Sequence, residues 1–314
     1  MTNAPEHGFE AHRRHLTRLA YRMLGSISDA EDAVQDAWLR WREADPTAVD
    51  NPRAYLTRVV TRLCLDLMKS ARRRRELYVG AWLPEPLVEA LGASNPADDE
   101  LDAPIALMLA LERLSPLERA AFLLHDIFDM EFAEIARMLD RSETACRQLA
   151  SRARQHVKID MPSRNRVSSE EGARYARAFF EAAHRTDASA LQALLARDVV
   201  LHSDGGGKVP AAINPISGAD KVARFFAGIA GKFLRDAQTH YRPARINGLP
   251  GYVSLEGGET LQATALDIRD GLIHAIYAVR NPDKLRHVVL QDDRMGCALD
   301  LTTECRFPKQ PPET

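Results

Sequence analysis

SETACRQLASRARQHV, residues 142–157, places Ala145, Leu149, Ala153 and Val157 at every fourth position, with Arg147, Ser151, Arg152 and Arg154 on the remainder. That spacing gives a helix one apolar stripe and leaves its other side basic. Ser142 supplies a hydroxyl at the N-cap position. Just upstream, EIARML (134–139) reads as a second short helix, and Asp140-Arg141 leaves room only for a tight turn. Two short helices joined in this way, with an Ala in the first and the small Cys146 in the second, describe a helix-turn-helix whose second helix can enter a DNA major groove. The same residues also describe an ordinary helical hairpin with a solvated basic face. The rest of the chain has to separate the two.

A chain of 314 residues with 45% hydrophobic residues is long enough for two or three domains with their own cores. Its formal net charge of -2 hides local asymmetry, with Arg72 to Arg75 and the segment from Arg137 to Arg154 basic and Asp98, Asp99, Glu100 and Asp102 acidic. Phosphates respond to the local field, so a near-neutral total does not exclude nucleic-acid binding. No apolar run reaches the length of a membrane span, and the first residues lack a signal-peptide core. A cytoplasmic protein without membrane contact is expected. Cys64, Cys146, Cys297 and Cys305 are scattered without metal-ligand spacing, so buried thiols are expected, with no structural metal and no cofactor.

FEAHRRHLTRLAYRML (9–24) predicts an amphipathic helix stopped at Gly25-Ser26. Ser28-Asp29-Ala30-Glu31 has capping-box spacing and predicts the next start at Ser28. The helix that follows carries an apolar stripe from Ala30 to Trp41 and an acidic face of Asp29, Asp32, Gln35 and Asp36, which could meet a basic partner. After the loop from Ala44 to Asp50, Asn51-Pro52 predicts an N-cap followed by Pro at the first helical position. The long helix behind it points Arg53, Arg58, Arg62 and Lys69 outward and ends in four arginines, a positive strip suited to a phosphate backbone. Pro84, Pro86 and Pro96 interrupt the next stretch. Trp82 within it is too large an apolar surface to leave in water, so the linker is expected to dock. Ser115-Pro116-Leu117-Glu118 predicts a further capped start, leading into a support helix LERAAFLLHDIF (117–128).

An acidic-faced helix (SDAEDAVQDAWLRW), a short loop, a basic helix starting Asn-Pro, an acidic spacer and a helix-turn-helix (FAEIARMLDRSETACRQLASRAR) follow one another in this chain. That order resembles bacterial extracytoplasmic-function sigma factors, with their sigma-two and sigma-four helical domains, over approximately the first half of the chain. Two positions depart from the family pattern, Asp140 where Gly is frequent and Arg141 where an aliphatic residue is frequent. Asp tolerates the left-handed conformation, so the turn is expected to survive. The resemblance implies that Asp29, Glu31, Asp32, Gln35, Asp36 and Trp38 lie on or under the surface docking the beta-prime clamp of core RNA polymerase, which also contributes its beta subunit as a partner. It further implies that Asn51, Arg53, Arg58 and Arg62, with the preceding loop, melt and read the minus-ten element of promoter DNA. Glu143, Thr144, Arg147, Gln148, Ser151, Arg152 and Arg154 then face the minus-thirty-five element, with Arg147 suited to a base edge and Arg152 and Arg154 to phosphates.

Beyond residue 161 the pattern changes. Ser168 to Glu171 opens the helix ARYARAFFEAAHR, a second helix follows from Asp187, and strand-length alternation then runs through RDVVLHSD, YRPARI, GYVSLE, ETLQATALDIRD and GLIHAIYAVRN, with a helical Gly218–Phe233 after the first strand. Helices, a strand, a helix and a strand meander predict an α+β cone. It resembles the SnoaL-like family, and WLPEP (82–86), DGGG (204–207) and NPDKL (281–285) fit sigma factors that carry such a domain at their C-terminus. The expected organisation is a multidomain chain: a sigma-two helical bundle at 1–76, a linker at 77–103, a sigma-four helix-turn-helix domain at 104–161, a linker at 162–167, the cone at 168–290 and a tail at 291–314. Trp82, Leu83, Pro84, Asp204, Gly205, Gly206, Gly207, Asn281, Pro282, Asp283 and Lys284 are the candidate regulatory contacts. The functional expectation is an initiation factor, not an enzyme, working with polymerase at the nucleoid and regulated in cis by a cone that leaves room for an unidentified small ligand. Two alternatives stand beside it: a helix-turn-helix regulator with a ligand-binding cone, and a SnoaL-like isomerase or cyclase using groups such as Asp204, His202, His240, Tyr252, His274 or Tyr277.

Overall fold

The computed structural model describes residues 4–44, 49–76, 78–90, 104–157, 167–233 and 240–288. Most of the loop ahead of Asn51, the acidic cluster around Asp99, nearly all of the 162–167 linker, Cys297, Cys305 and the 291–314 tail lie outside these described residues. Helices α1 (Ala4–Leu24), α2 (Ile27–Glu43) and α3 (Pro52–Glu76) pack around Phe9, Leu16, Leu19, Met23, Val34, Trp41, Leu56 and Val60. Asn51 caps α3 as expected, its Oδ1 accepting from Ala54 N at 3.0 Å. The start of α2 differs from the expectation at Ser28. Gly25 turns the chain at φ +70°, which leaves Ser26 extended, and Ser26 Oγ accepts from Asp29 N at 3.1 Å. A carboxylate from the linker, Glu85, satisfies the next donor, so the local box at Ser28 is not needed.

Strand β1 (Val88–Ala90) follows in the linker. Then come α4 (Ile105–Glu112), α5 (Pro116–Phe122), α6 (Phe132–Leu139) and α7 (Glu143–Val157). Ser115 and Glu118 form the reciprocal capping box. The single support helix expected from Leu117 to Phe128 instead breaks into a π-turn at Leu123–Ile127, closed by Phe128 N donating to Leu123 O at 3.0 Å. Asp140 takes the left-handed conformation (φ 54°, ψ 54°), and Ser142 Oγ accepts from Ala145 N. The buried face of α7 is wider than the sequence stripe: Cys146 and Ala150 join Leu149, Ala153 and Val157, while Ala145 is half-buried.

One continuous core runs through α1–α3 and α4–α7. Arg119, 1% exposed, crosses between them: its Nη1 donates to Met23 O at the end of α1 (2.6 Å), its Nε donates to Leu111 O (3.0 Å), and it pairs with Glu112 at 2.8 Å. A fixed planar fork of donors suits a buried site with two carbonyls and a carboxylate. Burial pulls its pKa down to about 9, which still leaves it charged at neutral pH.

The second half comprises α8 (Ser169–His184), α9 (Ala188–Leu194), β2 (Leu195–Asp204), β3 (Ile216–Ser217), α10 (Ala219–Phe233), β4 (His240–Ile246), β5 (Leu249–Glu256), β6 (Thr260–Arg269) and β7 (Leu272–Val279). The strands form one sheet in the order β1-β4-β5-β6-β7-β2-β3, with β2–β7 parallel and the other pairs antiparallel. Its outermost member on one side is the linker strand β1, paired with β4 from Val88↔Ile246 to Ala90↔Ala244, which covers an otherwise open edge. The inner face packs Tyr252, Leu266, Ile276 and Leu201 against Phe179, Leu191 and Val222 of the helices. The outer face packs Val253, Ala263, Ala265, Tyr277 and Val279 against Leu83 and Val88 of the linker and Ile105 of α4. The expected α+β cone is thus bound to the helical half across its outer face. After β7, a short 3-10 turn (Pro282–Lys284) leads to His287 and Val288, which are anchored: His287 lies 2.8 Å from Pro86 O, and Val288 is buried.

Candidate functional site

The three motifs quoted from the linker, the cone and the end of β7 meet at one carboxylate. Asp204 ends β2 and is 1% exposed. Its Oδ1 accepts from Tyr78 Oη at 2.5 Å and from Gly206 N at 3.0 Å; its Oδ2 accepts from Leu83 N and from Lys284 Nζ, both at 2.8 Å. Its backbone carbonyl accepts from Arg280 N at 2.7 Å and Asn281 N at 2.9 Å. A buried carboxylate is stable only when paired and hydrogen-bonded, and this one has both. Lys284, 8% exposed, also donates to Leu83 O and sits over the rings of Trp82 (4.2 Å) and Tyr78 (4.9 Å). Burial and the Asp204 carboxylate push the Tyr78 phenol up, so it stays a donor.

Glycine makes this approach feasible. A Cβ on Gly206, at φ +61°, would lie 2.3 Å from the Asn281 amide, and one on Gly205 would lie 2.3 Å from Val209 O. Asn281 uses its amide twice, donating from Nδ2 to Tyr78 Oη at 2.8 Å and accepting at Oδ1 from Asp283 N at 3.0 Å. Asp283 joins Lys208 (2.5 Å) and Arg286 (2.7 Å), and these hydrogen bonds hold its carboxyl below the ordinary range.

The linker is fastened to α1 and α2 as well. Glu85 accepts from Ile27 N (2.6 Å) and Ser26 Oγ (2.9 Å), and its own N donates to Gly25 O. Tyr21 Oη donates to Glu85 O at 2.7 Å and accepts from Asn247 Nδ2 at 2.8 Å; Asn247 Oδ1 in turn accepts from Leu87 N. Trp82 packs on Gly25, where an added Cβ would meet the indole at 2.5 Å. Linker, cone and first helices therefore share one hydrogen-bonded clasp. Trp82, Leu83, Asp204, Gly205, Gly206, Gly207, Asn281 and Lys284 all meet in it or beside it. Pro84 is buried within the linker, whereas Pro282 and Asp283 are exposed.

The basic and acidic faces are placed separately. On α2, Glu31, Asp32, Gln35 and Asp36 are exposed, Asp29 and Trp38 are half-buried, and Leu39 beside them is 46% exposed. On α3, Asn51, Arg53, Arg58 and Arg62 are exposed; Asn51 is occupied as a cap, and Arg62 Nε reaches toward Met138 O of α6 at 3.5 Å. On α7, Glu143, Thr144, Arg147, Gln148, Ser151 and Arg152 are exposed and Arg154 is half-buried. Each arginine there has an acidic neighbour: Arg147 with Glu143 (2.9 Å), Arg152 with Glu118 (3.5 Å) and Arg154 with Asp126 (2.6 Å). The π-turn is what carries Asp126 to Arg154.

Two family models match the chain, Sigma-70 region 2 over residues 9–74 and Sigma-70, region 4 over residues 105–157. The ECF RNA polymerase sigma factor SigJ of Mycobacterium tuberculosis is 41% identical over 304 residues, covering 91% of this chain and 95% of that protein. The chain belongs to the ECF RNA polymerase sigma factors. A second relative of this sigma factor, the probable ECF RNA polymerase sigma factor SigI of Mycobacterium tuberculosis, is 36% identical over 290 residues, covering 88% of this chain and 93% of its own. The crystal structure of Mycobacterium tuberculosis SigJ matches with a TM-score of 0.69 at 38% identity, covering 88% of this sigma factor and 97% of that chain. The likeness therefore extends through the cone and is not confined to the helical half.

Sequence reasoning did not single out Tyr21, Tyr78, Arg119 or Asn247 of this sigma factor, and it named Glu85 only as a letter of the WLPEP motif. Asn247 and Gly248 turn the chain between β4 and β5 with positive φ (47° and 76°), and the Asn247 amide's reach to Tyr21 has no local signature. The groups considered for acid–base chemistry are not gathered. Tyr252 faces the inner core, Asp204 is held in the clasp, His202 stacks on Tyr277 (5.4 Å) on the outer side, His240 is exposed and His274 lies 3.9 Å from Asp198.

Proposed function

We propose that this sigma factor binds core RNA polymerase in the cytoplasm, directs initiation at specific promoters, and is regulated in cis by the cone's hold on its linker. The observation that carries the regulatory part is the Asp204 carboxylate, which binds Tyr78 and Leu83 of the linker and Lys284 of the cone at once. A linker held as a sheet strand and by a buried ion pair fixes the distance between the two helical domains, whereas a bipartite promoter requires them to separate. Arg62 on α3 beside Met138 on α6 supports the same reading, since a residue proposed for the minus-ten element then faces the helix-turn-helix domain.

The acidic face of α2, with Asp29, Glu31, Asp32, Gln35, Asp36 and Trp38, is the surface for the beta-prime clamp, and the beta subunit is the second polymerase partner. Asn51, Arg53, Arg58 and Arg62 serve the minus-ten element. Glu143, Thr144, Arg147, Gln148, Ser151, Arg152 and Arg154 serve the minus-thirty-five element. Phosphates must displace Glu118 and Asp126 from Arg152 and Arg154, which makes the upstream contact sensitive to salt. With Asp204 engaged in the clasp and the other acid–base groups dispersed, the isomerase reading has no assembled site to rest on.

In vitro transcription with core polymerase tests this. The full chain should support initiation on a promoter library, Arg147→Ala should lower it at selected promoters, and Asp204→Asn should raise it by loosening the linker. Absence of initiation at every promoter would overturn the sigma assignment of activity. Initiation unchanged by Asp204→Asn would overturn regulation through the clasp.

A further inference from the structure

Arg147 is held differently from the other arginines of α7. Arg152 and Arg154 lean on carboxylates from outside their helix, Glu118 of α5 and Asp126 of the π-turn. The carboxylate beside Arg147 comes from its own helix: Glu143 Oε2 accepts from Arg147 Nη2 at 2.9 Å, with side chains 46% and 57% exposed. What α6 contributes is a ring. Arg147 Cζ lies over Phe132, the first residue of α6, at 5.3 Å from the ring centre.

Phe132 is in turn held by a second ring. Its centre lies 4.0 Å from that of His125, with the planes 31° apart. His125 sits in the π-turn, and its Nδ1 lies 2.9 Å from Met130 O. A carbonyl only accepts, so Nδ1 carries the proton and donates. Met130 N donates to Leu124 O at 2.9 Å, which ties the segment between the π-turn and α6 back on itself. Phe132 is half-buried and also packs against the helical core. Imidazole, phenyl and guanidinium therefore touch in turn, from the π-turn across α6 to the exposed face of α7.

Magnitudes decide which contact sets the Arg147 side chain. An exposed ion pair at i,i+4 favours one geometry by about 2-fold. A guanidinium over an aromatic ring at an exposed site gains about 2- to 5-fold. The ring attracts the cation as a whole and leaves its N–H donors to an incoming base edge, which an arginine reads bidentately at guanine O6 and N7. Glu143, by contrast, competes for Nη2. An arginine already placed also loses less side-chain freedom when it binds.

We propose that Phe132, held by His125, is a positioning residue for promoter recognition: it presets the Arg147 guanidinium for a guanine of the minus-thirty-five element. The proposal rests on the reading of Arg147 as the base-edge contact, and it assigns the orientation of that contact to another helix.

Two measurements test it. In the free full chain, ring current from Phe132 should shift the Arg147 side-chain protons upfield in NMR spectra of labelled arginine, with Arg147→Ala assigning the signal. Phe132→Leu, which keeps an apolar side chain against the core, should return that signal to the range of the other exposed arginines, and Phe132→Tyr should retain the shift. In transcription by the full chain with core polymerase, each base of the minus-thirty-five element is substituted in turn, and Arg147→Ala marks the position it reads by loss of preference there. Phe132→Leu should lower the preference at that same position by about 2- to 5-fold, the worth of an exposed contact between cation and ring. Other positions and the salt slope should not change, since no phosphate contact is removed. Phe132→Tyr should keep the wild-type profile, and Phe132→Leu added to Arg147→Ala should change nothing further at the marked position. An unshifted Arg147 signal overturns the proposal, as do additive effects of the two substitutions or a preference that Phe132→Leu lowers equally at every position. A marked position that Phe132→Leu leaves untouched overturns the proposal alone; if Arg147→Ala marks no position, the base-edge reading fails and takes the proposal with it.

Discussion

Asp204→Asn keeps the shape of the side chain and removes its charge, which isolates what the carboxylate does for the clasp. In the folded chain four donors converge on it, from Tyr78, Leu83, Gly206 and Lys284. An amide can accept at one atom only, so its NH2 must face either the Leu83 N–H together with the Lys284 ammonium or the Tyr78 hydroxyl together with the Gly206 N–H, and each pair contains a nitrogen donor that cannot accept. Lys284 is left as a charge 8% exposed without its counter-ion. Breaking a buried pair by removing one partner costs about 3–5 kcal/mol. Here Lys284 keeps Leu83 O and the Trp82 and Tyr78 rings, which places the expected loss near the low end, at about 3 kcal/mol. Urea unfolding of the full chain measures it, and Lys284→Met completes a double-mutant cycle with an expected coupling of about 2 kcal/mol. Amide exchange at Leu83 gives a local reading, since its N–H exchanges a charged acceptor for at best a neutral one and should exchange faster than amides in the core of α1. A loss below about 1 kcal/mol, or a coupling indistinguishable from zero, would refute the view that this ion pair holds the linker.

Gly25→Ala should destabilise the fold by about 2–3 kcal/mol, because the residue is strained at φ +70° and its Cβ would displace the Trp82 indole; indole emission and a urea melt report both effects. Arg119→Met should cost about 2–4 kcal/mol by leaving Met23 O, Leu111 O and Glu112 without their donor, and Arg119→Lys should recover only part of it, as read by urea unfolding. His15 on α1 is held down to about 4 by burial first and then by Arg53, Arg18 and His12, in a site where its ring also meets Thr57 and Phe128. The unfolded chain therefore binds the extra proton between pH 6.5 and 4, so stability is full above that window and falls as pH drops through it, by about 1–2 kcal/mol after allowing for partial exposure. His15→Gln should flatten that part of the stability profile measured by denaturation at a series of pH values.

Local chemistry was readable in the sequence wherever it is local in the structure. Asn51, Ser115 and Ser142 cap the helices assigned to them, and Asp140 makes the left-handed turn. The docking of Trp82 followed from its size alone. Ser28 misled because the cap of α2 is completed by Glu85, 58 residues downstream of Ile27, and a capping rule reads only neighbours. The break at Leu123 has no Gly or Pro to announce it; Phe128 and Met130 complete it by reaching back to Leu123 O and Leu124 O. Strand β1 was read as linker because three residues carry too little periodicity, and pairing with β4 is what makes them a strand.

The clasp also sets an order of events during synthesis. Lys284 follows Leu83 by 201 residues. At about 5–20 residues per second, roughly 10–40 s separate the emergence of the two, long enough for helical domains to fold first. Each new molecule accordingly passes through an interval in which its helical half is complete and its linker is held by α1 and α2 alone, without the cone. A polymerase that met the nascent chain in that interval would meet it free of the cone's hold, so the rate of elongation through the cone becomes a control on activity that no mature-protein assay would register.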